Sequence, residues 1–231
     1  MRWSWRNLLL PQSCYLCGAK SVRALCPGCL ADLPYYSLEN TCICCARPLN
    51  REFEEMYCAY CQQSPPFFTQ TFPIFSYTYP INHLIIAAKF EQNLTILTLL
   101  AELMAQHIDY QQIPDALIPV PLHSKRLRER GYNQSLEMAK IVARQLDIPL
   151  ATSACERIRY TTPQTQLTGS QRKTNLQDAF RSNHLKKSWQ HIVLIDDVMT
   201  TGTTVNELAS VLLQAGIPRV DVWCCARTLE Y

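Results

Sequence analysis

Apolar positions along this chain switch between a period of two and a helical period, and the switching predicts an alternating α/β order. Residues 72–79 are rich in aromatic side chains and predict a strand. From 81 to 107 apolar residues fall at helical spacing (Leu84, Ile85, Ala88, then Ile96, Leu99, Leu100 and Leu103), with Asn93 as a point where the run divides. Residues 116–120 form a short buried strand, 135–146 an amphipathic helix, 191–195 a second apolar strand and 204–214 another helix. Gly216 and then Pro218 close that helix, and 220–226 make a last strand. Strands separated by helices predict a mostly parallel, twisted sheet flanked by helices. Ligands of such sheets sit beyond the carboxyl ends of the strands.

The first quarter follows neither period; cysteine organises it instead. Nine of the twelve cysteines lie between Cys14 and Cys61. Eight of them form Cys-x2-Cys pairs: Cys14/Cys17, Cys26/Cys29, Cys42/Cys45 and Cys58/Cys61. That spacing lets a tight turn aim two thiolates at one ion, and two pairs complete a tetrahedron. Gly18 after the first pair and Pro27-Gly28 inside the second suit such turns, whereas Ala46 after the third does not. Eight thiolates imply two Zn2+ ions. Sequential pairing is the simplest assignment; a crossed one also satisfies the spacing, and Cys44 is a spare that could replace Cys42. Four cysteines per ion leave no position open for water, so the zinc is structural and supplies folding energy to a segment too small for its own core. The two halves read as a duplicated ribbon. It serves as a folding staple for the next domain or as a contact for nucleic acid or a partner. Two prolines, Pro65 and Pro66, set the boundary: a double zinc-ribbon module over 1–66 and an α/β domain over 67–231.

Length and composition suit a soluble chain of one medium domain with an appendage. A formal net charge of +3 gives no argument for nucleic acid by itself. No apolar run reaches the length of a membrane span, and the apolar stretch at Leu8, Leu9 and Leu10 is too short for a signal peptide. Trp3, Trp5 and these leucines read as packing residues, and the expected compartment is the cytoplasm. Cys155, Cys224 and Cys225 read as buried core thiols.

The segment 193–204 is where the chemistry concentrates. An apolar strand leads into Asp196 and Asp197, then a turn rich in threonine and glycine, then a helix. Free amides at a helix N-terminus, threonine hydroxyls and the close approach allowed by Gly202 suit a phosphate. Two acids beside an anion site need another partner, and sugar hydroxyls carrying a divalent cation supply one. A solvated Asp-Asp turn is the bland alternative for an isolated pair. A second loop follows the strand at 116–120: Pro121, Leu122, His123, Ser124, Lys125, Arg126, Leu127, Arg128, Glu129 and Arg130. Four Lys/Arg within six residues suit a polyanion, or else a solvated basic face. Gly131, Tyr132, Asn133 and Gln134 open the next helix. Residues 157–180 (with Arg157, Arg159, Thr161, Gln164, Leu167, Arg172, Asn175, Ala179 and Phe180) are polar enough for a lid.

The segment 193–204 resembles the phosphoribosyl-pyrophosphate (PRPP) signature of type I phosphoribosyltransferases. The resemblance implies that Asp196 and Asp197 hold the ribose hydroxyls. It implies that the loop Val198, Met199, Thr200, Thr201, Gly202, Thr203 and Thr204 receives the 5′-phosphate, with 200–204 wrapped around it. It also implies that Pro121, Leu122, His123, Lys125, Arg126, Arg128 and Arg130 meet the pyrophosphate and its Mg2+. Added to the paired cysteines, Leu117-Ile118-Pro119-Val120-Pro121, the Arg-Gly-Tyr-Asn-Gln run at 130–134, and the Thr-x-Pro-Gln, Arg-x2-Asn and Ala-Phe elements of 161–180, the pattern is similar to the ComF family over nearly the whole chain. That family implies a phosphoribosyltransferase-like fold and, in several members, a link to natural competence. It implies handling of incoming single-stranded DNA in the cytoplasm alongside a competence helicase and recombination proteins.

Three functions fit these residues. One is a PRPP-binding protein of DNA uptake, with the acceptor entering near Lys89 and Phe90 or the arm. Another is a metabolic phosphoribosyltransferase acting on a base or amine, against which stands the lack of a base-reading segment. The third is a non-catalytic module that senses PRPP or holds single-stranded DNA on Lys125, Arg126, Arg128, Arg130 and the zinc module, with Tyr132 for stacking.

Overall fold

The computed structural model describes residues 12–49, 56–91, 93–108, 110, 112–160 and 178–228. Its centre is a four-stranded sheet of β3 (Thr71–Ser76), β8 (Arg219–Arg227), β7 (His191–Met199) and β4 (Ala116–Pro119), in that spatial order. Every neighbouring pair is parallel. Period-two alternation in the two central strands divides the core. Val193, Ile195, Trp223 and Cys225 face one side, and Ile192, Leu194, Val222 and Cys224 face the other. On the first side lie α3 (Ile81–Phe90), α4 (Leu94–His107) and α6 (Gln134–Leu146). On the second lies α7 (Thr203–Gln214), with a short antiparallel hairpin of β5 (Cys155–Arg157) and β6 (Phe180–Ser182).

Asn93 does divide the helical run. Its side-chain oxygen accepts from the Ile96 amide at 3.2 Å, capping α4 and ending the α3 direction. The 72–79 strand stops at Ser76. Cys155, Cys224 and Cys225 are all buried. Two expectations need correction. The basic segment is no loop: α5 (Ser124–Arg130) forms there because His123 Nδ1 accepts from the Lys125 amide and Gly131, at φ 80°, closes the helix. The second apolar strand does not stop at Ile195 but runs on to Met199, because β8 continues beside it and pairs through Arg227. Asp196, Asp197, Val198 and Met199 therefore belong to β7 itself.

The cysteine module wraps the sheet's β3 edge. Its first half comprises β1 (Gln12–Ser13), β2 (Lys20–Ser21) and α1 (Pro27–Ala31), and Cys14, Leu25 and Leu33 join the core on the α3/α4 side. The chain then crosses antiparallel to β3, with Tyr36 N bonding Ile74 O at 2.8 Å and Ser76 N bonding Pro34 O at 2.9 Å. This crossing satisfies the outer edge of β3. The second half, which includes α2 (Ala59–Gln63), places Cys42, Cys44, Cys45 and Cys61 in the opposite core. Trp3, Trp5, Leu8, Leu9 and Leu10 lie outside the described residues, as do Thr161, Gln164, Leu167, Arg172 and Asn175 of the arm. No described helix is long and apolar enough to cross a membrane.

Candidate functional site

The sulfurs resolve the pairing of the cysteines. Cys14, Cys17, Cys26 and Cys29 converge in one cluster and Cys42, Cys45, Cys58 and Cys61 in the other, with ligand atoms within 4.8 Å of each other. Cys17 and Cys26 sulfurs are 3.7 Å apart and those of Cys45 and Cys58 3.6 Å. A tetrahedron with bonds of about 2.3 Å requires about 3.8 Å between sulfurs, so each cluster fits one zinc ion. The pairing is sequential. Cys44 is no alternative ligand: it is buried and donates to Phe68 O at 3.3 Å. The two knuckles share one turn, with Gly18 N bonding Cys14 O and Ala46 N bonding Cys42 O. Both residues take the left-handed region, Gly18 at φ 73° and Ala46 at φ 55°. The sequence therefore flagged Ala46 correctly as the less comfortable residue.

At the carboxyl edge of the sheet, Asp196 and Asp197 stand side by side near the end of β7. Ser135 Oγ, from the first turn of α6, donates to Asp196 Oδ1 at 3.1 Å, and the Asp197 amide donates to the same oxygen at 3.0 Å. Burial, then the charge of Asp197, pushes the Asp196 carboxyl up to about 7, against the pull of Lys89 and these two donors. Asp197 carries an ion pair to Lys89 Nζ at 2.9 Å, with both side chains largely buried. Burial pulls Lys89 down, but the Asp197 carboxylate outweighs it and keeps the ammonium protonated above its usual range. The last turn of α3 is pinned there from a second direction, since the Tyr132 hydroxyl donates to Ala88 O.

Beyond β7 the chain turns through Thr200 and Thr201 to Gly202, which caps α7 at φ 79°. The torsion is what calls for glycine here; a Cβ at Gly202 would meet only the flexible end of Met199, at 2.7 Å from its Cε. Gly202 has no side chain to cap the helix, which leaves the α7 N-terminus suited to an outside anion. The Thr201 and Thr203 hydroxyls lie 2.7 Å apart beside it. Of the residues assigned to this loop from sequence, Met199 turns its side chain into the core at 2% exposure. Thr203 and Thr204 form the first turn of α7.

The basic helix α5 flanks the same edge. Lys125 and Arg128 are exposed, Arg126 and Arg130 half-buried. Aromatic rings stand among these cations: Lys125 Nζ lies 4.6 Å from the Tyr160 ring centroid, and the Arg130 guanidinium carbon 5.6 Å from that of Phe90. His123 meets Tyr160 edge-on at 5.4 Å. The hairpin adds Arg157, whose guanidinium is pulled down to about 10 by burial and by the charge of Arg126, with Asp196 opposing. Arg157, Arg126 and Asp196 thus act on one another across this edge. A cavity of ≈ 380 Å3 lies at the opposite edge, lined by Gln70, Phe72, His191, Arg219 and Asp221 among others. None of the residues assigned from sequence lines it, so its size gives it no claim on this chemistry.

Ser135, Tyr160 and Arg227 escaped the sequence reading. Arg227 is 1% exposed and ends β8 beneath the turn.

Residues 87–230 match the Phosphoribosyl transferase domain family, and residues 5–62 match the Double zinc ribbon domain. The DNA utilization protein YhgH of Salmonella typhimurium is 33% identical over 96% of this chain and 100% of its own length. The protein of the same name from Escherichia coli K12 is 38% identical over 74% of this chain and 78% of its own. Competence protein F of Haemophilus influenzae is 32% identical over 88% of this chain and 90% of its own. The parallel sheet, the carboxyl-edge loop and the two four-cysteine clusters agree with these matches, and the chain belongs to the ComF family, whose members join a phosphoribosyltransferase-like domain to a double zinc ribbon.

Proposed function

We propose that this protein binds PRPP with Mg2+ at the carboxyl edge of the sheet and uses that site in handling single-stranded DNA during DNA uptake. The observation that carries the reading is the juxtaposition of two neighbouring carboxylates, Asp196 and Asp197, with the uncapped turn before α7. The 5′-phosphate takes the turn at 200–204, where main-chain amides and the Thr201 and Thr203 hydroxyls supply donors. The ribose diol takes the two acids, displacing Lys89 from Asp197. The pyrophosphate takes α5 and its approach, from Pro121, Leu122 and His123 through Lys125, Arg126, Arg128 and Arg130. The donor set fits Mg2+ carried on the ligand: Lys89 already neutralises Asp197, and the basic side chains answer phosphate oxygens. Mg2+ supplies charge neutralisation to the departing pyrophosphate. In a transfer reaction the C1–O bond to pyrophosphate breaks, and an acceptor reaches C1 from the side of Lys89 and Phe90.

Two further observations support the DNA side. Relatives carry the names DNA utilization protein and competence protein. Cations and rings also interleave at Lys125/Tyr160 and Arg130/Phe90, which suits strand phosphates together with stacked bases. In this reading a competence helicase and recombination proteins share the strand in the cytoplasm.

The test combines Asp196→Asn with Asp197→Asn. The double variant should lose PRPP- and Mg2+-dependent thermal stabilisation while keeping two zinc ions per chain. Undiminished stabilisation would remove the ribose from these acids. Titrating the protein with PRPP and oligonucleotide, separately and together, then reads pyrophosphate release. Release that needs the oligonucleotide supports a DNA-linked acceptor, and release with a free base alone favours a metabolic enzyme. Binding of both ligands without release favours a sensor.

A further inference from the structure

The second zinc ribbon and the turn before α7 are joined by a buried cation. Arg227 Nε donates to Cys45 O at 3.0 Å, and Cys45 is a ligand of the second cluster. Arg227 Nη1 donates to Met199 O at 3.1 Å, to Thr200 O, and to Thr228 O at 3.1 Å. One guanidinium therefore clasps a zinc knuckle with one nitrogen and the first carbonyls of the turn with another. Its planar fork suits this bridging, which a point charge on a flexible stem cannot reproduce.

Around this clasp the contact is close. Phe68 lies 3.6 Å from where a Gly202 Cβ would stand. Phe68 O accepts from Cys44, and Phe67 N donates to Asn206 Oδ1, in the first turns of α7, at 2.7 Å. Among the described residues Arg227 forms no ion pair with a carboxylate. Its charge is thus left to raise the potential under the turn, where an anion gains from it. Tying the Met199 and Thr200 carbonyls backward also keeps those acceptors away from an incoming phosphate.

We propose that Arg227 is a positioning residue that couples the second zinc site to the phosphate turn, so that filling that site holds the turn in its phosphate-binding shape. Loss of zinc from Cys42, Cys45, Cys58 and Cys61 frees the Cys45 carbonyl, and Arg227 then no longer anchors the turn. The inference rests on the reading that residues 200–204 receive the 5′-phosphate.

The experiment uses the full chain loaded with zinc and compares Arg227→Met, Arg227→Lys, Cys58→Ser and the Cys58→Ser/Arg227→Met pair. Affinities for ribose 5-phosphate and for pyrophosphate, each with Mg2+, are measured beside hydrogen exchange of the amides at 199–204, with those at 192–195 as an internal control. Arg227→Met should weaken ribose 5-phosphate about tenfold or more, the scale of a lost hydrogen bond to a charged group. Pyrophosphate should change by no more than about twofold, as expected for a distant site. Exchange at 199–204 should quicken while 192–195 stays protected. Arg227→Lys should recover only part of the loss. Cys58→Ser should reproduce the pattern, and in the paired variant the two effects should not add. Full additivity, equal losses for both ligands, or unchanged exchange after the second site is emptied would each overturn the coupling. If the native protein binds no ribose 5-phosphate, the phosphate reading fails while the exchange arm still decides the coupling. Should Arg227→Met not fold, Arg227→Lys and Cys58→Ser carry the same comparison.

Discussion

The two zinc ribbons are built alike and do different work. Each gathers four cysteines around a tight knuckle, yet they dock on opposite faces of one sheet. The first leans on α3. Its Tyr15 hydroxyl donates to Glu91 at 3.2 Å, just past that helix, and its ring lies 6.0 Å from that of His83. Cys14, Leu25 and Leu33 of this half are buried in the core on the same side, and the route from there to the acids runs along α3 to Lys89. The second ribbon presses on the turn before α7 itself, through a guanidinium at 1% exposure and the ring of Phe68. Even the knuckles differ accordingly: Gly18 is exposed, whereas Ala46 is buried and its carbonyl accepts from the Tyr36 hydroxyl. One ribbon is thus an outer buttress on the side of Asp196 and Asp197, the other an inner buttress against the turn before α7.

The largest predicted effect comes from emptying the ribbons one at a time. Structural zinc supplies about 10–16 kcal/mol in zinc-finger peptides, so either loss melts its own ribbon. What separates the two is how far the damage travels. Cys45→Ser should quicken exchange in the phosphate turn and weaken ribose 5-phosphate about tenfold, the scale of a lost charged hydrogen bond. Cys17→Ser should quicken exchange in α3 and weaken the same ligand only about twofold. Equal losses from the two lesions would erase the distinction.

The next effect sharpens the side of the two acids. Asp196 titrates near 7 in the folded chain because burial and Asp197 oppose its charge. In the unfolded chain its carboxyl titrates at about 3.9. The fold therefore favours the protonated form. Stability from this group is fully present below the unfolded value and is lost as pH rises through about 7. Asp196→Asn keeps an oxygen for Ser135 and for the Asp197 amide and removes the charge. Its melting temperature should match that of the native protein at pH 4 and exceed it by several degrees at pH 8.5, since each kcal/mol moves a domain of this size about 2–4 °C. A difference that does not grow across neutral pH would mean that Asp196 is not held in the way its surroundings indicate.

These features were unequally legible in the sequence. The parallel sheet was readable because its strands are short, apolar and separated by strong helical periods. The zinc sites were readable because x2 spacing has few other uses. Pairing was not, because spacing does not say which turns meet in space. The basic segment looked like a loop because four cations hide a helix that His123 and Gly131 cap at its ends. The strand leading into Asp196 and Asp197 read as ending at Ile195, where the unbroken apolar run stops, while the ladder to β8 continues to Met199. Ser135 and Arg227 act across 61 and 182 residues, on Asp196 and on the Cys45 carbonyl, and no local pattern encodes such distances.

The smallest predicted effect tests whether the outer buttress bears on the ligand at all. Tyr15→Phe keeps the ring beside His83 and removes only the hydroxyl that Glu91 accepts from. A net hydrogen bond contributes about 0.5–1.5 kcal/mol, and an exposed one sits at the low end, so the melting temperature should fall by only a degree or two. Exchange should quicken in the last turn of α3, around Ala87, Ala88 and Lys89, because that turn loses a tether just beyond its end. Ribose 5-phosphate affinity should hold within about twofold, since Lys89 remains fixed to Asp197 and the turn remains pinned by Tyr132. A tenfold loss instead would mean that the first ribbon transmits through α3 as strongly as the second does through Arg227. The two ribbons would then be equivalent supports, and the asymmetry drawn from their contacts would be without consequence for binding.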